Sequence, residues 1–205
     1  MDFGDMVGKA ANYLSKKQAE TILNWGKRLN EQERYVQRLE RNIDKMNMEQ
    51  KEEVRKLRSE LEEKKHSMEE KGITVSYSGV VFFGDKSLEQ WNSEWQCIGN
   101  LKSADLTPYN SCVGVYRHWY HGDIVYVGRA NELYNGGFRK RLSDYRRESD
   151  SARGHKSGQL IHEHLDEIIT DILVVGDTNE AVNITSLLEQ QFIAKFDPPW
   201  NIQRY

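Results

Sequence analysis

Cysteine is scarce in this chain. Cys97 and Cys112 stand fifteen residues apart with no CxxC pair, which argues against a structural zinc site and for a reducing compartment. Long hydrophobic runs are missing as well. No stretch of about 18 apolar residues occurs, and the start lacks a basic segment followed by an apolar one, so neither a membrane span nor a secretory signal is supported. The expectation is a soluble, cytoplasmic (intracellular) protein. Apolar residues make up only 38% and charged residues 30% of the 205 positions, so a single core filling the whole chain is not expected. That length allows one domain plus an accessory element.

A strong charge of one sign is also lacking. The net charge of −3 argues against a generic polyanion binder. The distribution says more: residues 1–72 carry 16 Lys+Arg against 15 Asp+Glu, and residues 73–205 carry 13 against 17. Within the acidic half, residues 129–157 hold eight basic residues (Arg129, Arg139, Lys140, Arg141, Arg146, Arg147, Arg153, Lys156) against four acidic ones. A basic island on an acidic body suits a focused phosphate-contacting surface.

Residues 16–71 contain no proline and one glycine, and are rich in Glu, Lys, Arg and Gln. Apolar residues fall at Ile22, Trp25, Leu29, Val36, Leu39, Ile43 and Met46, then at Val54, Leu57, Leu61 and Met68. Spacings of three and four predict one long helix with a heptad seam and a skip after Met46. At ~1.5 Å per residue it would reach roughly 80 Å. A narrow apolar stripe of that length calls for a second helix, from another copy or from a partner protein, although Gln50 and Lys64 interrupt the seam.

After Gly72 the composition changes. ITVSYSGVVFF reads as one or two strands, Trp91 and Trp95 stand at helical spacing and are expected to pack in a core or interface, and TPY at 107–109 marks a turn. Strands are predicted at about 113–119 and 123–128, joined by a tight turn at His121-Gly122-Asp123. A basic helix follows the glycine pair 136–137, a helix covers about 157–167, a strand covers 168–176, and a final helix runs from about 179 to 196 before Pro198-Pro199. The expected fold class is α+β: a small three-stranded antiparallel sheet flanked by helices, preceded by the helical region. The domain reading is 1–71 helical, 72–111 connecting, and 112–205 the compact domain.

Several polar side chains converge in this scheme. Tyr116 shares a strand face with Gly114 and His118, Tyr126 lies on the partner strand beside Gly128, and Arg141 and Tyr145 share a helix face. Glu189 sits in ITSLLEQQFIAKF, where an inward carboxylate is costly unless it is paired or holds a cation. His155, His162 and His164 lack a usual metal spacing, though His155 could contact phosphate.

GVY, YVG ten residues on, RKRLSDY, and LLEQQFIAKFDPPWN occur in this order. The chain resembles the GIY-YIG nuclease superfamily over roughly residues 112–203, and in local wording the incision domain of bacterial nucleotide-excision repair. The resemblance implies that Tyr116 activates or positions the attacking water, with support from Tyr126. It implies that Arg141 binds the scissile phosphate, that Tyr145 occupies a histidine-or-tyrosine position, and that Arg129 occupies a position that is often basic. Glu189 would hold a single Mg2+ or Mn2+, and Asn201 would stabilise the site. A phenol is mostly protonated near neutral pH, so Tyr116 would need positive charge beside it. The segment NELYNGGF lengthens this part of the chain relative to compact members.

The function expected is divalent-metal-dependent hydrolysis of DNA phosphodiesters, with DNA favoured over RNA from family habit alone. Nucleic-acid contacts fall to Arg129, Arg139, Lys140, Arg146, Arg147, Arg153, His155 and Lys156, and a homo-oligomer or helical partner to residues 16–71. The contrasting class is a catalytically inactive nucleic-acid-binding or coiled-coil scaffold on the same fold.

Overall fold

The computed structural model describes residues 3–76, 78–147 and 155–202, with side chains from residue 16 onward. The chain divides into two compact units: Glu20–Leu88, and Glu89–Tyr205 together with Met1–Ala19. Residues 73–88 therefore belong with the helical segment, and 89–111 with the sheet that follows.

The stretch expected to form one rod is two helices folded back on each other. Helix α1 (Phe3–Glu40) ends before a single 3-10 turn at Ile43–Lys45, and α2 (Met48–Glu69) starts anew. The break is encoded. The Asn47 side chain accepts a hydrogen bond from the Gln50 backbone N–H (2.9 Å), and the Gln50 side chain accepts one from the Asn47 N–H (3.1 Å). This capping box satisfies two backbone donors at the new N-terminus. Gln50, which looked like an interruption of the seam, is thus a start signal. The seam residues Leu29, Val36, Val54, Leu61 and Met68 are buried, so the stripe finds its partner helix within the same chain.

Charge pins the pair. The Arg58 guanidinium meets Glu40 at 2.6 Å and Glu33 at 3.0 Å, and Lys65 also contacts Glu33. Burial opposes ionisation of Glu33, but the bonds from Lys65 and Arg58 outweigh it and hold its carboxyl below the usual range. Strands β1 (Ile73–Val75), β2 (Val81–Phe83) and β3 (Lys86–Ser87) form a small antiparallel sheet in the same unit. At Gly26 a Cβ would come within 2.5 Å of the Val81 side chain. The one glycine of the 16–71 stretch therefore lets α1 approach β2.

The other unit is built on a four-stranded antiparallel sheet rather than the three-stranded one expected. Its strands are β4 (Gln96–Asn100), β5 (Val113–Tyr120), β6 (Asp123–Ala130) and β7 (Ile169–Gly176), in the order β4-β7-β5-β6. The additional strand is β4. The tryptophan spacing pointed to a helix there, but helix α3 (Leu88–Asn92) stops after five residues, and QCIGN becomes a strand by pairing with β7. Tertiary pairing overrides a weak local signal here. Both tryptophans pack as expected: Trp91 is buried, and Trp95 meets Phe192 edge-on at 5.1 Å.

Hairpin β5–β6 turns through His121 and Gly122, whose φ values are 50° and 90°, the left-handed pair that a I′ turn requires. Helices α4 (Gly137–Arg146) and α5 (Lys156–Glu163) pack together, and α6 (Asn179–Phe196) packs along β5 and β6. Thr178 caps α6 by accepting from the Ala181 N–H. After α6 the chain runs beside β6, where the Trp200 N–H donates to the Val125 carbonyl at 2.8 Å. Among the described residues no helix is long and apolar enough to cross a membrane.

Candidate functional site

Strand register brings the phenols together. Tyr116 lies opposite Gly128, and His118 opposite Tyr126. A Cβ at residue 128 would stand 2.5 Å from the Tyr116 hydroxyl oxygen, so the glycine makes room for the ring. At residue 114 a Cβ would collide with the Leu173 carbonyl oxygen and with Phe138 of α4. The two motif glycines are therefore steric necessities: one seats Tyr116, the other seats the arginine helix.

Helix α4 carries Arg141 and Tyr145 one turn apart. The Tyr116 and Tyr145 hydroxyls are 2.9 Å apart, and Arg141 Nε donates to the Tyr116 oxygen at 3.3 Å. Tyr116 is fully buried and Tyr145 nearly so. The neighbouring Tyr116 phenol raises the already high pKa of Arg141, so the guanidinium stays charged. Burial pushes Tyr145 and Tyr126 well above the usual phenol range, so both remain protonated and able to donate. Tyr126 stands 6.1 Å from Tyr116, centroid to centroid.

His118 belongs to this cluster although sequence reasoning had placed it only on the shared face. It is fully buried, 5.2 Å from Tyr116, stacked on Tyr126 at 5.9 Å and edge-on to Tyr145 at 5.7 Å. Its Nδ1 is 2.9 Å from the Thr170 hydroxyl, and its Nε2 has no hydrogen-bond partner among the described residues. Burial lowers its pKa to about 3, so it is neutral at physiological pH. The available signal was periodicity: in GVYRHWY, residue 118 must face the same way as residue 116.

Glu189 and Arg129 form the second part of the site. Arg129 Nη1 meets Glu189 Oε2 at 2.6 Å, with the Glu189 side chain 17% exposed and that of Arg129 42%. Burial raises the pKa of Glu189, while the positive charges of Arg129 and Arg141 act in the opposite direction. The carboxylate thus lies within the field of the phenol-bound arginine. Among the described residues no hydrogen bond joins it to Arg141 or to a phenol. The arrangement is a buried Tyr145–Tyr116–Arg141 chain next to a partly enclosed Arg129–Glu189 pair.

Residues 112–202 match the UvrC-like GIY-YIG domain family. This segment is a UvrC-like GIY-YIG domain. No curated protein and no solved structure matches the chain.

In the GIY-YIG domain, Asn201 serves the backbone. Its side chain accepts from the Val127 N–H at 2.8 Å and donates to the Val127 carbonyl at 2.7 Å, fastening the terminal segment to β6 directly after Tyr126. The added segment NELYNGGF forms turns leading into α4 and leaves Tyr134 exposed. Asn131, its first residue, donates to Ser186 of α6.

The basic island divides on inspection. Arg146, expected to face nucleic acid, instead donates to the carbonyls of Leu101 and Ala104, both at 2.6 Å. Its charge is half-enclosed and its pKa lowered by burial, so it clamps a loop. Lys140 pairs with Asp144 at 3.4 Å, and Arg139 reaches the Asn110 side chain at 3.2 Å. Arg147 and His155 are exposed and Lys156 is half-buried. Arg153 lies outside the described residues.

The donor set for a metal ion is spare. Among the described residues no group of three or more His, Cys, Asp or Glu could hold one. Glu189, a largely enclosed carboxylate whose ionisation burial opposes and Arg129 favours, is nevertheless a side chain whose chemistry suits a divalent cation.

Proposed function

We propose that the GIY-YIG domain is a divalent-metal-dependent endonuclease that hydrolyses DNA phosphodiester bonds. The observation that carries this reading is the Tyr116 hydroxyl, held between Arg141 Nε at 3.3 Å and the Tyr145 hydroxyl at 2.9 Å. A phenol so placed has one donor that stays charged and one that stays protonated. Both would stabilise Tyr116 as a phenolate, the form left once it gives up its own proton, and only that form can take a proton from the attacking water. The remaining Arg141 donors suit planar, charge-assisted contact with the scissile phosphate.

Tyr126 supports the cluster as a protonated phenol, and Asn201 positions β6 without touching substrate. Glu189 would hold Mg2+ or Mn2+, which when bound supplies Lewis acidity at the phosphate and relief of leaving-group charge. Arg129 sits on the Glu189 carboxylate and is half-exposed. With Glu189 engaged by an ion, Arg129 would be placed to contact the substrate phosphate. Arg139, Lys140, Arg147, His155 and Lys156 supply further phosphate contacts around α4 and α5.

Incubation of the full chain with supercoiled plasmid, with and without Mg2+ or Mn2+, tests the reading. Metal-dependent nicking is expected, and it is abolished in Glu189→Ala. Nicking of equal rate in Glu189→Ala and Arg141→Ala would refute the assignment.

A further inference from the structure

The helical hairpin carries a feature that its packing does not use. Helices α1 and α2 leave a groove of about 430 Å3, lined by Trp25, Arg28, Leu29, Lys64, Met68 and Lys71 among others. Leu29 and Met68 are buried and form an apolar floor, while Trp25 is 50% exposed. The lining contains three cations and no carboxylate. None of the three cations has an ion-pair partner among the described residues. Elsewhere on α2 the arrangement is the opposite: Lys65 is tied to Glu33, and Arg58 to Glu33 and Glu40. In a segment with nearly equal numbers of acids and bases, this groove has received bases only.

We propose that the groove is a second nucleic-acid-binding site. It takes an unpaired nucleotide, with the base against the Trp25 indole and the flanking phosphates among Arg28, Lys64 and Lys71. The inference rests on the nuclease reading, which makes nucleic acid the substrate, and adds to it a site outside the GIY-YIG domain. An aromatic face over an apolar floor suits a splayed base, and a cationic rim suits a backbone that passes it. A second copy of the chain is a poor occupant, because a two-fold contact would set the same three cations against themselves. An acidic protein segment would satisfy the rim but would make no specific use of the indole.

The test is fluorescence anisotropy of a labelled dT20 strand with full-length protein in EDTA, which separates binding from cleavage. Trp25→Ala is expected to weaken binding about tenfold. Neutralising the rim in an Arg28→Gln, Lys64→Gln, Lys71→Gln protein is expected to flatten the salt dependence, reducing the magnitude of its slope by about 2. Heparin binding should fall in the rim variant and stay unchanged in Trp25→Ala, because heparin has charge but no base. All four residues lie at the surface, so helical circular dichroism should match wild type.

Wild-type dT20 affinity and salt slope in both variants, with plasmid nicking intact, would overturn the groove and leave the nuclease reading standing. Loss of self-association in Trp25→Ala with unchanged dT20 affinity would overturn it in favour of a second copy. A wild-type chain that neither binds dT20 nor nicks plasmid would overturn both.

Discussion

The two units use the same charged residues to opposite ends. In the helical unit, Arg58 lies between Glu33 and Glu40 and Lys65 also reaches Glu33, so opposite charges meet and tie the hairpin. In the GIY-YIG domain, Arg141 faces phenols rather than a carboxylate, and Glu189 has one half-exposed arginine on an otherwise enclosed side chain. Matched charge serves folding, whereas charge left partly unmatched against burial stays available to a substrate or an ion. The same contrast recurs within the helical unit, between its paired seam and the groove beside Trp25.

The largest effects are expected where charge is unmatched. Tyr116→Phe and Arg141→Ala should each lower plasmid cleavage by about 10²- to 10³-fold, with thermal midpoints close to wild type. If Tyr116 takes the proton, its removal should also change the pH–rate profile. An unaltered profile in Tyr116→Phe would leave the phenol a merely structural part.

His118 should dominate the acid sensitivity of folding. Its pKa is depressed to about 3 in the fold against about 6.5 unfolded, so its contribution is fully present above pH ~6.5 and declines as pH falls toward ~3. Urea titrations across that range should show a loss of a few kcal/mol in wild type and a smaller loss in His118→Phe.

Breaking the matched charges should cost stability and leave chemistry alone. Arg58→Met removes the link between Glu33 and Glu40 and should destabilise the protein by about 1–2 kcal/mol, read by chemical denaturation, with the cleavage rate at saturating DNA unchanged. Glu189→Gln should do the reverse. Because burial raises the folded pKa of Glu189, the ionised group opposes folding as pH rises through that pKa. The neutral isostere should therefore gain roughly 1 kcal/mol above the carboxylate range while losing metal-dependent cleavage. A Glu189→Gln protein that is less stable at neutral pH would show that Arg129 balances the charge fully.

Much of the site could be read from the chain because its geometry follows from strand and helix periods. Gly114, Tyr116, Tyr126 and Gly128 face one another by alternation and register, and Arg141 and Tyr145 by a helical turn. Other features depend on contacts that no period encodes. Arg146 has the same chemistry as Arg139, yet the carbonyls of Leu101 and Ala104 claim it. Strand β4 exists because β7 offers an edge, and no pattern in QCIGN announces it. The hairpin break is legible in principle: Asn47 and Gln50 spell a capping box at the skip in the apolar seam after Met46. The fit of Gly26 against Val81 links residues 55 positions apart, and only the folded unit reveals why that glycine is there.

The contact between the Tyr116 and Tyr145 hydroxyls has a practical consequence. A hydroxyl proton shared between two oxygens in a buried cluster exchanges slowly with bulk water. In a proton magnetic-resonance spectrum it should appear as a separate downfield line where most hydroxyls are invisible. That line would move or vanish when DNA or a metal ion reaches the centre, giving a direct reporter of occupancy that needs no turnover.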